Sequence, residues 1–145
     1  MRGKREHGGA AVEFVIIAPV LIMMFLFIVG LGRMATAREA VEGAARDGAR
    51  EASIARSAGA ADSTARQVIA DTLANKRITC TNPVSGQQAT PDVKVDTGNF
   101  HPDGTVTVHV ACMVDNSAVM MSGLPGHKTL HSDFTAWVDK YRGTQ

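Results

Sequence analysis

GGAAVEFVIIAPVLIMMFLFIVGLG, residues 8–32, is the stretch that decides the architecture of this chain. From Phe14 to Gly32 it holds nineteen consecutive residues without a charge. A helix rises about 1.5 Å per residue, so a run of this length covers roughly the 30 Å hydrocarbon core of a bilayer. Its large apolar side chains point in all directions around the axis, whereas a core helix of a soluble protein is apolar on one face. The sequence therefore predicts a transmembrane helix, assigned to residues 9–32.

Glu13 is the only ionisable residue in this stretch. The basic residues Arg2, Lys4 and Arg5 precede it and, by the positive-inside rule, predict a cytoplasmic N-terminus. A carboxylate at the edge of the hydrocarbon costs a few kcal/mol, so such groups are usually paired or functional. The alternative is a glutamate that only snorkels to the lipid headgroups.

Gly8 is followed by four small or apolar residues, then by Glu13 and the aromatic Phe14, all behind a short basic leader. This arrangement resembles the processing site of type IV pilin-like proteins. The resemblance implies cleavage after Gly8 by a prepilin peptidase on the cytoplasmic side. Gly9 would become the new N-terminus and Glu13 the fifth residue of the mature chain. The processing residues are therefore Gly8, Gly9, Glu13 and Phe14.

Over a longer segment, residues 8–52, the chain resembles more narrowly the TadE-like minor pilins (pseudopilins) of tight-adherence (Tad) pilus systems. The similarity includes the apolar run, Pro19 and the sequence ARDGAR at residues 45–50. It implies a subunit that initiates, caps or assists assembly of a Tad pilus. The implied partners are the prepilin peptidase, other minor pilins, the major pilin and the inner-membrane assembly platform, with the lipid bilayer around the span.

Two alternatives to a cleaved pilin remain at the level of sequence. The first is a secretory signal peptide cut near the small residues Ala35-Thr36-Ala37. The apolar run is longer than the 7–15 residues typical of a signal peptide, and Arg33 separates it from that cut, so retention is the prediction. The second is an uncleaved single-pass anchor that carries a small extracytoplasmic binding module.

Pro19 lies inside the apolar run and cannot donate a helical hydrogen bond. A kink or a loosened turn is expected there unless neighbouring groups satisfy the backbone. Two interpretations stay open: a weak point that helps the subunit leave the membrane during assembly, or a tolerated membrane proline.

The rest of the chain is electrically neutral, since residues 33–145 carry twelve basic and twelve acidic residues. A nucleic-acid-binding domain needs a basic face, so nucleic acid is not an expected partner. About 110 residues follow the apolar run, which is room for one small domain.

The helical pattern continues from Arg33 to about Arg56, but the residues become small or charged. Small side chains recur at every fourth position and form a strip along one face: Ala40, Ala44, Gly48 and Ala52. Small faces let helices approach closely, so the strip is predicted to take part in subunit assembly, together with Glu13 and Pro19. The alternative is a solvated alanine-rich helix. Ion pairs at helical spacing are predicted for Arg38–Glu42, Glu42–Arg46 and Asp47–Arg50.

Residues 57–61 are expected to interrupt the helix, with Asp62 or Ser63 capping a second helix that ends near Lys76. This completes a helical region at 33–76. The apolar positions of the second helix fall on one face, which predicts packing on a sheet: Ala65, Val68, Ile69, Thr72 and Leu73.

Residues 77–145 read as a small β-rich domain. Strands are predicted at 78–81, 93–97, 105–114 and 130–141, with a turn at His101–Gly104. In the third strand alternation places Val106, Val108, Val110 and Cys112 on the apolar side. The connection 115–127 contains two methionines and is read either as a short helix over a sheet edge or as a partner surface.

Cys80 and Cys112 are the only cysteines, in the part of the chain placed outside the cytoplasm, so a disulfide is predicted. A metal site is disfavoured because His109 should point away from Cys112 and no compact second ligand pair exists. Catalytic motifs such as GxSxG, HExxH or a phosphate-binding glycine loop are absent from the sequence, which predicts no enzyme activity and no cofactor.

Together these patterns predict an α+β fold shaped like a lollipop. A long N-terminal helix crosses the cytoplasmic membrane and continues outside it, and a second helix and a small, mostly antiparallel sheet form the exterior domain. The leader is assigned to residues 1–8.

Overall fold

Helix α1 runs without interruption from His7 to Ser53 in the structure, a computed structural model that describes residues 7–115 and 126–141, with side-chain surroundings from residue 13 onward. Its 47 residues correspond to a length of about 70 Å. α1 ends three residues before the predicted limit, where the Ser53 hydroxyl donates to the carbonyl of Arg50 at 2.7 Å. Such local hydrogen bonding by serine competes with helix propagation.

The second helix, α2, spans Ala58–Asn75 and begins earlier than predicted. Ser57 is its N-cap, and its hydroxyl accepts a hydrogen bond from the amide of Ala60 at 3.2 Å. The prediction of a cap at Asp62 or Ser63 was wrong, because the alanine-rich segment before them favours helix and Ser57 is itself a good cap. Asp62 instead pairs with Arg66 one turn later.

α2 packs antiparallel to α1. Its buried residues lie on one stripe, as the periodicity indicated: Ala61, Ala65, Ile69 and Leu73. The expectation that this stripe packs on the sheet was largely wrong, since α2 makes most of its contacts with α1 and fewer with the first strand. The reason lies at Gly48, where a Cβ atom would come within 2.8 Å of the Ile69 side chain. The missing side chain lets the two helices approach closely.

Three strands form one antiparallel sheet in the order β1-β2-β3: β1 Asp92–Asn99, β2 Thr105–Asp115 and β3 His127–Trp137. The predicted α+β fold is confirmed. The apolar face of β2 is also confirmed, since Val106, Val108, Val110 and Cys112 are all buried. The last strand begins earlier and ends earlier than predicted, although the amide of Val138 still donates to the carbonyl of Gly104 at 2.9 Å.

The predicted strand at 78–81 is not formed. The amide of Ile78 closes the end of α2 by donating to the carbonyl of Leu73, and only Thr81 pairs with β2, through two backbone hydrogen bonds with Met113. The chain then turns at Asn82, whose side-chain oxygen accepts from the amides of Val84 and Ser85. These local bonds leave no room for a longer strand.

The turn at His101–Gly104 is confirmed, with the amide of Gly104 donating to the carbonyl of His101. Asp103, and not Gly104, takes the positive φ, of 63°. Glycine is needed at 104 for space, because a Cβ atom there would collide with the carbonyl oxygen of Asn99. The predicted helix or partner surface within 115–127 falls mainly on residues 116–125, which lie outside the described residues.

The core lies between the inner face of the sheet, the second half of α1 and α2. The predicted disulfide between Cys80 and Cys112 is confirmed, with the two Cα atoms 5.1 Å apart. It joins the loop after α2 to the central strand. Because the domain is small, a covalent link of this kind supplies a large share of its stability.

Candidate functional site

The first half of α1 presents an apolar surface that the described residues leave almost entirely exposed. Its large side chains from residue 14 to residue 31 are exposed in every direction around the axis, including Phe14, Leu21, Ile22, Phe25 and Leu31. The segment is long and apolar enough to cross a membrane. An exposed apolar surface of this size is unfavourable in water and matches a lipid environment or other apolar helices.

Glu13 stands at the N-terminal border of this surface and is exposed, as is Phe14 beside it. Gly8 and Gly9 lie in the first turn of α1. All four predicted processing residues therefore belong to one continuous helix, and Gly8 precedes Glu13 by about 7.5 Å along the axis. Glu13 is the one carboxylate at a border that otherwise consists of small and apolar residues.

Pro19 is exposed in the same half of the helix. The helix continues through it, with helical residues on both sides. Proline has no amide hydrogen, so the carbonyl of Val15 cannot receive the usual helical bond from position 19. The expected loosened turn is thus limited to this one backbone bond and does not end the helix.

The strip of small residues in the second half of α1 is buried within the chain itself. Ala40, Ala44 and Ala52 are at most 1% exposed, and Gly48 faces Ile69 of α2. The sequence correctly indicated a close backbone approach, but the approaching helix belongs to the same chain. The assignment of these four residues to subunit assembly is therefore corrected to packing inside the domain.

The two halves of α1 meet between Gly32 and Ala37. Thr36 donates its hydroxyl hydrogen to the carbonyl of Gly32 at 3.0 Å, which satisfies a backbone acceptor at the junction. Ala37 is the first residue after the junction that is buried with the domain core. The domain therefore begins within about 8 Å of the end of the apolar surface.

The charged residues of α1 form fewer pairs than predicted. Arg38 and Glu42 pair at 3.1 Å, both largely exposed. The two other predicted pairs are not among the ion pairs of the described residues. Arg46 instead places its guanidinium over the ring of Phe134 in β3, 5.4 Å from the ring centre. Sequence analysis missed this cation–π contact because the two residues are far apart along the chain.

The residue considered for a metal site in the sequence, His109, lies on β2. His109 points away from Cys112, as predicted, and its Nδ1 lies 2.7 Å from a carboxylate oxygen of Asp133. No group of three potential metal ligands occurs within residues 13–115 and 126–141. The hydrogen bond from Arg66 to Asp62 raises the pKa of the guanidinium, which only reinforces a surface ion pair on α2.

The fold and the exposed half-helix together give the chain a pilin-like architecture: one long N-terminal helix, apolar and largely exposed in its first half, with a small α+β domain packed on its second half. The family model described as TadE-like protein matches residues 8–50, which confirms the resemblance seen in the sequence. The match covers 43 of the 145 residues, so the likeness is to this family over that segment. No match was found among curated proteins or among solved structures.

The matched segment coincides almost completely with α1. It begins at Gly8, the predicted cleavage residue, and ends three residues before the last residue of the helix. α2 and the sheet lie outside it. The family resemblance therefore describes the helix, and the architecture of the exterior domain comes from the structure.

Proposed function

We propose that this chain is a minor pilin, or pseudopilin, that takes part in the initiation, capping or assembly of a Tad pilus after cleavage by a prepilin peptidase. The observation that carries the proposal is the combination found in α1. An uncovered apolar helix begins with Gly8 and Glu13 at the spacing of a pilin processing site, and the TadE-like family model matches the same segment. In this role the chain is a structural subunit without enzyme activity.

The proposed topology places the N-terminus in the cytoplasm and the domain on the other side of the membrane. Three basic residues before Gly8 support this orientation, because cytoplasmic flanks carry an excess of lysine and arginine. The Cys80–Cys112 disulfide supports it independently, since such bonds persist in oxidising compartments outside the cytoplasm.

Retention of the apolar segment is supported by the junction with the domain. α1 passes through Ala35-Thr36-Ala37 as an unbroken helix, and Ala37 is already buried in the core. A signal-peptide cut at these residues would separate the apolar half from the domain in the middle of a helix that the folded chain uses. A cut after Gly8 leaves that helix intact.

Subunit contacts are assigned to the first half of α1. The small residues of the second half are occupied by the chain's own α2 and sheet, so they are not free for a neighbour. Glu13, Pro19 and the large apolar side chains between Phe14 and Leu31 are exposed in the part of the chain that the structure describes. In the proposal these contact the other minor pilins, the major pilin and the assembly platform.

Glu13 has a specific role in this proposal. Cleavage after Gly8 creates an α-ammonium group on Gly9, and the Glu13 carboxylate can pair with that group on a neighbouring subunit. Opposite charges attract strongly where water is scarce, and the pair offsets the cost of holding each charge near hydrocarbon. Such a pair would set the axial register between adjacent subunits.

Cleavage is tested with Gly8→Val in cells that contain the cognate prepilin peptidase. A peptidase that holds the chain close at the cut favours a residue without a Cβ atom, so the variant should accumulate the precursor, which keeps residues 1–8. The measurement is the mass of the mature N-terminus. Gly3→Val is the matched control, because it changes a glycine in the same leader away from the cut and should be processed normally.

Each other outcome points to a different protein. Equal processing of wild type and Gly8→Val would remove the prepilin proposal. A wild-type chain that keeps Met1 would favour the uncleaved single-pass anchor with a binding domain. A mature chain that starts shortly after Ala37 would identify a secretory signal peptide.

Assembly is tested with Glu13→Gln, which keeps the shape of the side chain and removes its charge. The variant should still insert and be cleaved, but it should co-purify less with the other pilins and reduce piliation. Normal assembly of Glu13→Gln would show that the charge has no such role and that Glu13 only reaches the headgroups.

A further inference from the structure

The two edges of the sheet differ in how well they are protected. β1 is eight residues long, follows Pro91, and loses its regular register with β2 between Asp96 and Asn99. A helix contacts each edge strand, α2 at β1 and α1 at β3, so helix packing does not distinguish the two edges. Short length, proline and an irregular register are the features by which proteins prevent the pairing of another strand with a sheet edge.

β3 shows none of these features. It has eleven residues, all of them aligned with β2 without a register shift, and its sequence contains neither proline nor glycine. Within residues 7–115 and 126–141 no strand pairs with its other side. A long, regular and open edge of this kind is a template for a further strand.

The direction of the backbone groups on β3 follows from one hydrogen bond. The amide of Val138 donates to the carbonyl of Gly104, so position 138 faces β2. Backbone groups alternate in direction along an antiparallel strand. The N–H and C=O groups of the odd-numbered residues therefore point away from β2: His127, Thr129, His131, Asp133, Thr135 and Trp137.

The inner face of the sheet is also incomplete beside β3. Val106 and Val108 in the central strand are fully buried, whereas Phe134 and Ala136 in β3 are only half-buried. Arg46 covers part of the Phe134 ring from α1. An additional strand next to β3 would place side chains over this exposed apolar margin.

We propose that the free edge of β3 accepts an extended segment of another polypeptide, which adds a fourth strand to the sheet. Alternating donors and acceptors at strand spacing match an extended peptide backbone and no other common ligand. Apolar residues of the incoming strand would cover Phe134 and Ala136, and a basic residue would lie opposite the exposed carboxylate of Asp133. This inference goes beyond the proposed pilin role, and only the argument against a second copy rests on the proposed membrane anchor.

A second copy of the chain is a poor occupant of this edge. β3 runs alongside α1, because Arg46 lies against Phe134 and the carbonyl of Ser53 accepts from the amide of Asp139. Antiparallel pairing of two β3 strands places a two-fold axis perpendicular to the sheet. That axis would reverse one α1 relative to the other, so the two helices could not be anchored in the same membrane. This geometry disfavours antiparallel pairing of two copies, and we assign the edge to a different chain.

The test uses the full chain in detergent micelles and a synthetic peptide of about nine residues, with valine alternating with threonine and lysine at the centre of the threonine face. The readout is amide hydrogen exchange of single β3 residues by NMR. In the free chain the six outward amides should exchange at least about tenfold faster than those that face β2, and the peptide should slow them by at least about tenfold. The control peptide has the same sequence with N-methyl groups on the amides that would face β3, and it should give no protection.

His131→Pro removes one outward amide and breaks no hydrogen bond to β2. Edge strands tolerate proline at such a position, and the variant should abolish the protection by the peptide. His131→Val keeps the amide and should preserve it. Thr129→Pro is a second blocking variant if His131→Pro does not fold.

Several results would overturn the proposal. One is the absence of protection by the peptide. Another is protection that survives both N-methylation and proline. A third is a free chain whose outward amides already exchange slowly without peptide. Either its own residues 116–125 or a second copy would then occupy the edge, and only protection by a second copy would be lost on dilution.

Discussion

The two halves of α1 are parts of one unbroken helix, but the first half exposes large apolar residues and the second half buries small ones. In the first half large apolar residues such as Phe14 and Ile22 are more than half exposed. In the second half small residues such as Ala44 and Ala49 are completely buried. The same backbone geometry therefore serves two different surroundings.

The difference shows that a residue of α1 is buried where α2 and the sheet can pack closely against the helix, and not where the residue itself is most apolar. Alanine and glycine bury little apolar area each, but they let α2 and the sheet approach α1 closely, and close packing gains many weak contacts. The large side chains of the first half have no protein neighbour in the described residues. In the proposed membrane they need none, because lipid tails are as apolar as the side chains.

The largest expected effect comes from the disulfide, which stabilises the domain on the second half only. Cys112→Ser removes a cross-link between residues 32 positions apart. By the loop-entropy relation this lowers the free energy of unfolding by about 3 to 4 kcal/mol. Thermal unfolding followed by near-UV circular dichroism should show the domain melting at lower temperature. The far-UV helix signal of the apolar half should persist in detergent.

A reducing agent is the control for this prediction. It should destabilise the wild type and leave Cys112→Ser unchanged. If the apolar half lost its helix together with the domain, the two halves would be one cooperative unit and the comparison would fail.

The next effect compares the same substitution in the two surroundings. Ile69 in α2 is fully buried against the second half of α1, whereas Ile22 in the first half is 60% exposed. Ile69→Ala should lower the free energy of unfolding of the domain by about 3 kcal/mol, through lost apolar burial and a cavity. Ile22→Ala should leave the melting temperature of the domain unchanged. Similar losses in both variants would mean that the first half is also packed against protein.

A smaller effect is expected from Gly48→Ala, which tests the close approach of the two helices. The new Cβ atom would lie 2.8 Å from Ile69 Cγ1 and Cδ1, so the isoleucine must move. Overpacking of this kind costs about 1 to 3 kcal/mol, despite the higher helix propensity of alanine. The measurement is chemical denaturation of the domain.

Two variants give this prediction its controls. Gly59→Ala in α2 meets no atom within 4 Å and should be neutral or slightly stabilising. In an Ile69→Ala background the cost of Gly48→Ala should disappear, because the colliding atoms are gone. A persistent cost would place the strain in the backbone and not at Ile69.

Local patterns predicted those parts of the fold that depend on neighbours in sequence. Alternation in β2 identified Val106, Val108, Val110 and Cys112 as the inner face, and the turn at His101–Gly104 followed from its residue types. The apolar stripe of α2 was also correct. The element on which this stripe packs was not predicted correctly, because no local pattern indicates whether Ile69 contacts a sheet or another helix.

What the sequence by itself determined is the helix from Gly8 onward, its uncovered apolar half, the TadE-like resemblance and the pair of cysteines, because each depends on composition or spacing within a short stretch. The tertiary structure alone decided that Gly48 and the alanine strip serve the chain's own α2, that Arg46 lies on Phe134, and that no strand of the described residues pairs with the outer edge of β3. These features join residues distant along the chain, and their contacts depend on how the elements pack in space.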